Sequence, residues 1–222
     1  MIASYAAKQN KIYEEHFRAV MPTLPRVETT KYVREPDAGY FAVWLYPESV
    51  MARAAAFNRQ INDIVPVFRF DESNLHTTIT VYKSQPQDTF KPDPSILESF
   101  THICKSLDSE LLQAVQIDFK EWLFNEGAII AAGQGNGAFW QVGAEFGAAG
   151  AKVGHHWRMP WGAHMTVARF LESSNKTNRL LKLAKKTPGI GLCQPVAIIV
   201  GYFMCGPTNL RFTPVLRREI GD

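Results

Sequence analysis

The sequence predicts an α+β fold: two lobes whose antiparallel sheets face a central cleft, with helices outside. Three observations carry that expectation. Helix-period and strand-period segments alternate as β-α-β-α-β-β-α-β-α-β-β after a leading helix. The order falls into two similar halves. Each half holds one strand-like stretch with a His-x-Thr tripeptide, His76-Thr77-Thr78 in LHTTITVY and His164-Met165-Thr166 in AHMTVARF. Facing sheets would bring the two tripeptides together across a groove.

The elements follow in order. Residues 1 to about 20 form a polar helix with Ile12, Tyr13, Phe17 and Val20 as its apolar stripe. Pro22, Pro25 and Pro36 break the chain into a connector, so residues 1–38 read as an N-terminal helix and connector and residues 39–222 as the bilobal domain. GYFAVWLYP is a strand closed by Pro47, with Tyr40, Ala42, Trp44 and Tyr46 on one face and Phe41, Val43 and Leu45 on the other. Residues 48–63 place Val50, Ala54, Phe57, Ile61 and Ile64 at helix spacing, and an acidic turn at Asp71–Asn74 leads into the first His-x-Thr strand, about 75–83. A helix starts after Pro94 and runs through Ile96, Phe100, Ile103 and Leu107. The strands AVQIDFKEWLF and AIIAAG follow, joined at Asn125-Glu126-Gly127. FWQVGAEFGAAGAKVG is a helix that packs through small residues, and the second His-x-Thr strand spans about 162–170. A basic helix (174–186) ends at Pro188-Gly189; PVAIIVGYFMC is a buried strand and LRFTPVLRRE an edge strand.

Bulk properties bound the function. A chain of 222 residues, 46% hydrophobic, buries a substantial core. A net charge of +3 suits small anionic ligands or short oligonucleotides and does not call for a long duplex partner. Cys104, Cys193 and Cys205 have no CxxC spacing, which argues against a disulfide framework or a zinc knuckle and for a reducing compartment. With no apolar run of membrane-spanning length and no signal-type start, the expectation is a soluble, cytoplasmic protein.

The tripeptides carry the chemistry. On a strand, residues i and i+2 share a face, so each places an imidazole beside a hydroxyl. Histidine holds either protonation state near neutral pH, and a threonine hydroxyl donates to a phosphoryl oxygen. One of His76 and His164 would serve as base and the other as acid, while Thr78 and Thr166 hold the non-bridging oxygens. The bland alternative is a pair of satisfied strand histidines, with threonines present for β-propensity. His16, His102, His155 and His156 lack a hydroxyl at i+2. By strict alternation Thr80 and Tyr82 continue the His76 face and Phe170 the His164 face, and Tyr40 and Trp44 are the groove-facing candidates for stacking a base.

Weaker signals are set against their ordinary readings. His155-His156-Trp157-Arg158 suits a loop over the cleft or a plain solvated loop. Lys176, Arg179, Lys182, Lys185 and Lys186 form a basic helix face, solvated by default. GQGNG has neither the lysine nor the strand–helix frame of a phosphate loop, and no HExxH suggests a metal.

LHTTITVY and AHMTVARF resemble the paired signatures of the two-histidine (2H) phosphoesterase superfamily. The second is similar to the version in bacterial RNA 2′,3′-cyclic phosphodiesterases, formerly called 2′-5′ RNA ligases, as is the ending Gly206-Pro207 followed by Arg211-Phe212-Thr213. The resemblance covers about residues 39–218 and leaves the N-terminal 38 as an addition. It implies a bilobal fold, a central cleft, and phosphodiester hydrolysis that needs neither metal nor other cofactor. Relatives often carry a serine where this chain has Tyr202-Phe203. The implied substrate is a 2′,3′-cyclic phosphate, a 2′-5′ linkage or a cyclic oligonucleotide. The extra N-terminus and the departures near the C-terminus add the alternative of a specialised substrate, as for a viral or phage enzyme that degrades a cyclic-nucleotide immune signal. The alternatives are a non-catalytic nucleotide- or RNA-binding module and, more weakly, reversible RNA end-joining.

Overall fold

The computed structural model describes residues 2–154 and 157–221, without the side chains of residues 2, 3, 83 and 84. The fold is α+β, with an antiparallel sheet and six α-helices among the described residues. The helices are α1 (Ile2–Tyr13), α2 (Glu48–Asn62), α3 (Pro94–Ser106), α4 (Ser109–Gln113), α5 (Gly137–Lys152) and α6 (Thr177–Lys186). The strands are β1 (Asp37–Leu45), β2 (Thr77–Pro86), β3 (Ile117–Phe124), β4 (Ala128–Gly135), β5 (His164–Arg169), β6 (Gly191–Cys193), β7 (Ala197–Cys205) and β8 (Leu210–Glu219). The short helix α4 and the three-residue strand β6 are additions to the order read from the sequence.

Where two sheets were expected, hydrogen bonding joins all eight strands in the order β6-β3-β4-β5-β2-β1-β7-β8. The join is narrow. β2 and β5 share one register pair, Thr77 with Met165, so two four-stranded halves meet at the two motif strands.

Helices cover one face. Met51, Ala54, Phe57 and Ile61 of α2, Ile96 and Phe100 of α3, and Phe139, Val142 and Phe146 of α5 pack into one core with Trp44, Ile117, Phe119 and Met165. Caps define the starts: the side chains of Asp93 and Asp108 accept from Ser95 N and Glu110 N, and Asn136 accepts from Phe139 N. The GQGNG stretch is therefore the junction of β4 and α5, with Asn136 as the N-cap. The strand–helix frame expected to be absent there is present, though the lysine of a phosphate loop is not. Asn125 Oδ1 accepts from the amides of Gly127 and Ala128, closing the β3–β4 turn.

The opposite face is treated differently in each half. Leu123, Ile130 and Ala132 are covered by Tyr13 and Phe17, the latter in a π-helical continuation of α1 over Glu14–Arg18. Arg18 pins that segment to Glu121 of β3 through Nε at 3.0 Å and Nη2 at 2.5 Å. Further along, Val27 pairs with Ser174, and the Thr30 amide donates to the Phe170 carbonyl. On the other half Phe41, Val43 and Ile199 form a smaller cluster that faces an open cavity. No described helix is long and apolar enough to cross a membrane.

Candidate active site

A cavity of about 430 Å³ lies on the face opposite the helix core, and His76, Thr78, His164 and Thr166 all line it. The two tripeptides, far apart in the chain, thus meet where the two halves of the sheet join.

Each histidine is held in the same way. His76 Nδ1 lies 2.8 Å from the Asn74 carbonyl oxygen, and His164 Nδ1 lies 3.0 Å from that of Gly162. A carbonyl only accepts, so Nδ1 carries the proton in both rings and Nε2 keeps the lone pair. An aromatic ring fixes each imidazole further. Trp161 stacks on His164 at 4.0 Å, and Phe212 meets His76 edge-on at 4.9 Å.

Both rings are half-buried at the surface but packed among protein atoms around their nitrogens. Burial dominates their titration. It pushes His76 down to about 4, against a partial lift from the Asn74 hydrogen bond and with help from the Arg169 charge. His164 falls to about 3, again chiefly through burial, with His76 and Arg169 lowering it further. Both imidazoles are therefore neutral at neutral pH.

A β-bulge follows each motif. In β2, Val43 pairs with Thr78 and Ala42 with Thr80, leaving Ile79 extra; in β5, Ile130 pairs with Thr166 and Ile129 with Ala168, leaving Val167 extra. An extra residue reverses which side chains face which side downstream. Thr80 and Phe170 are consequently buried rather than lining the cavity, and Phe170 belongs to the helix-side core. Tyr82 sits opposite Tyr40, their rings 6.4 Å apart, yet still contributes to the cavity wall.

The same reversal turns Arg169 into the cavity. Strict alternation from His164 had set it on the far face, which is why sequence reasoning missed it; a register shift leaves no mark in the sequence. Its guanidinium lies 5.1 Å from the centre of the Tyr32 ring. Lys31 and Arg158 also line the cavity, with Asp37 as the opposing charge. The buried Asn58 of α2 holds the second bulge, its Nδ2 donating to the carbonyls of Val167 at 2.7 Å and Phe68 at 3.1 Å.

The groove face of β1 is the reverse of that expected. Phe41 and Val43 line the cavity, while Tyr40 and Trp44 point into the helix-side core. Tyr40 packs between Phe90 and Phe100 and accepts from the Asp93 amide at 2.6 Å. Both faces of that strand are apolar and aromatic, so composition alone does not rank them. Where the resemblance suggested a serine, Phe203 faces the cavity, and Tyr202 packs on Phe90 at 5.8 Å.

His155 and His156 lie outside the described residues. The rest of that stretch is packed in place, with Arg158 at the cavity wall. Trp157 is buried against Phe100 at 3.9 Å, and Arg158 exchanges both backbone hydrogen bonds with Val81. Among the described residues no three His, Cys, Asp or Glu side chains gather as a metal ion would need.

No protein-family model and no curated protein matches the chain. In fold it is similar to a solved structure of a conserved protein of unknown function from Agrobacterium tumefaciens. That match has 13% sequence identity and a TM-score of 0.50, covering 81% of this chain and 86% of the other.

Proposed function

We propose that the chain is a two-histidine phosphodiesterase acting on a nucleotide-type phosphodiester: a 2′,3′-cyclic phosphate, a 2′-5′ linkage or a link in a cyclic oligonucleotide. One observation carries the reading. Both histidines line one cavity with Nδ1 tied to a carbonyl, so both have Nε2 as the nitrogen free to exchange a proton. In this reading the two four-stranded halves are the lobes of a bilobal 2H fold, and the cavity is its cleft.

In hydrolysis one Nε2 takes the proton from the attacking water while the other gives a proton to the leaving oxygen. The P–O bond to water forms as the P–O bond to the leaving group breaks, in line across phosphorus. Thr78 and Thr166 donate to the non-bridging oxygens, and Arg169 balances their charge. The acid must acquire its proton. A bound phosphodiester supplies the cause, because an anion beside a neutral imidazole favours the charged ring. A cavity of about 430 Å³ has room for roughly one nucleotide around the phosphorus, at the lower end of small-molecule sites. Of the aromatic side chains that line the cavity, Tyr82, Phe41 and Phe203 are among those available to a base, whereas Tyr40, Trp44 and Phe170 are not. The partner is then a nucleotide or short oligonucleotide. Three buried, unpaired cysteines suit a cytoplasmic setting.

Two imidazoles that are both neutral without ligand also fit a binding module with no turnover. A substrate panel separates the readings. Native protein and a His76→Ala, His164→Ala double variant are mixed, in a strong chelator, with 2′,3′-cyclic mononucleotides, 2′-5′ and 3′-5′ oligonucleotides, and cyclic di- and trinucleotides. Cleavage by the native protein alone is the expected result. Binding without cleavage of any member would replace the enzyme with the binding module.

A further inference from the structure

The N-terminal helix reaches the second histidine through one peptide group. The carbonyl that accepts from His164 Nδ1 belongs to Gly162, and the N–H of that same peptide unit is the amide of Ala163. That N–H donates to Gln9 Oε1 at 2.6 Å, and Gln9, on α1, is buried. The next carbonyl, of Ala163, accepts from the Tyr13 hydroxyl at 3.2 Å. Tyr13 and Phe17 pack on Trp161, at 5.6 and 5.9 Å, and Trp161 is the ring stacked on His164.

The first histidine has a matching arrangement with a local partner. His76 Nδ1 is held by the Asn74 carbonyl, and the N–H of that peptide unit, the Leu75 amide, donates to the Asp71 carbonyl at 3.0 Å. Both sites are the same chain: acceptor, peptide N–H, peptide C=O, imidazole Nδ1–H. Hydrogen bonds in series polarise one another, so an acceptor on the N–H strengthens the carbonyl at the other end. At His76 a turn supplies that acceptor; at His164 a side chain from the far end of the sequence does.

We propose that Gln9 is a positioning residue for His164: by accepting from the Gly162–Ala163 peptide it fixes the carbonyl that keeps the His164 proton on Nδ1 and the lone pair on Nε2. The residues N-terminal to the two-motif region thus complete the second half of the site. The proposal rests on reading His76 and His164 as an acid–base pair, but its test does not require turnover.

The test reads the imidazole nitrogens by ¹⁵N NMR at pH 7 in the full chain, with His76 as the internal control. In Gln9→Met, which keeps the volume and removes the acceptor, His164 shifts by about fivefold toward the Nε2–H tautomer, the worth of one ordinary hydrogen bond, while His76 stays unchanged. Gln9→Glu keeps an acceptor and restores the native tautomer. Gly162→Ala gives the same test without replacing Gln9, because an added Cβ would lie 2.9 Å from Gln9 Cγ and displace the amide. An unchanged His164 in Gln9→Met and Gly162→Ala, an equal shift in His76, or failure of Gln9→Glu to restore the signal would each overturn the proposal. A normal tautomer response in a protein that cleaves nothing would instead count against the phosphodiesterase reading alone.

Discussion

Two neutral imidazoles in one cavity make the stability of the free protein depend on pH in a single direction. The perturbation is acidification from pH 7 to pH 5. In the unfolded chain an imidazole titrates near about 6.5 and takes up a proton across that range. In the folded cavity both rings stay neutral, His76 down to about 4 and His164 down to about 3. The unfolded state then binds more protons than the folded one, so stability is full above about 6.5 and falls as pH drops toward the folded values. One and a half pH units at about 1.4 kcal/mol each give about 2 kcal/mol per ring at pH 5. Both rings are half-buried, and discounting for the water that reaches them leaves about 2 kcal/mol for the pair. The assay is urea unfolding at pH 7 and pH 5 of the native protein and of a His76→Gln, His164→Gln double variant. Carboxylates held low, such as Asp71 beside Ser73, titrate in both proteins and cancel in the difference. The native protein should lose about 2 kcal/mol more than the variant on acidification. Equal losses, or a larger loss in the variant, would refute the reasoning.

Anion binding should draw a proton into the site. Calorimetry with inorganic phosphate at pH 7, in two buffers of different protonation heat, should register uptake, with affinity rising as pH falls to 5.5; zero uptake would remove the source of the catalytic acid. Arg169→Gln should weaken phosphate binding by about 10- to 100-fold, the worth of a charge-assisted hydrogen bond, while leaving the unfolding midpoint near native; undiminished affinity would take Arg169 out of the site. Asn58→Ala strands the Val167 and Phe68 carbonyls and should cost about 2–4 kcal/mol by urea unfolding. Because Val167 is the bulge that aims Arg169, phosphate affinity should fall in the same variant, and a variant that is destabilised but binds normally would separate the bulge from the site.

The element order and the two motifs were legible because they rest on local periodicity and on residue types with few alternative uses. The Pro94 and Asn125-Glu126-Gly127 breaks appear where their turn chemistry set them. What failed was facing. Alternation holds only while the register is unbroken, and the bulges at Ile79 and Val167 broke it immediately after each motif. That moved Thr80 and Phe170 into the core and brought Arg169 out. Tyr40 and Trp44 failed for another reason: Phe41 and Val43 are equally apolar, and the helices that bury one face of β1 come from distant sequence. Gln9 and Asn58 were invisible because each acts on a backbone group more than a hundred residues away, and a lone amide side chain has no spacing signature.

The central claim is that His76 and His164 work as one acid–base pair on a phosphodiester. Its most direct test is kcat/KM, on the substrate the panel identifies, for His76→Ala, His164→Ala and the double variant. Residues that act as a unit are non-additive, so each single variant should fall by at least about 10²-fold and the double variant only slightly further. A single variant that keeps native turnover, or losses that simply multiply in the double variant, would contradict the paired mechanism.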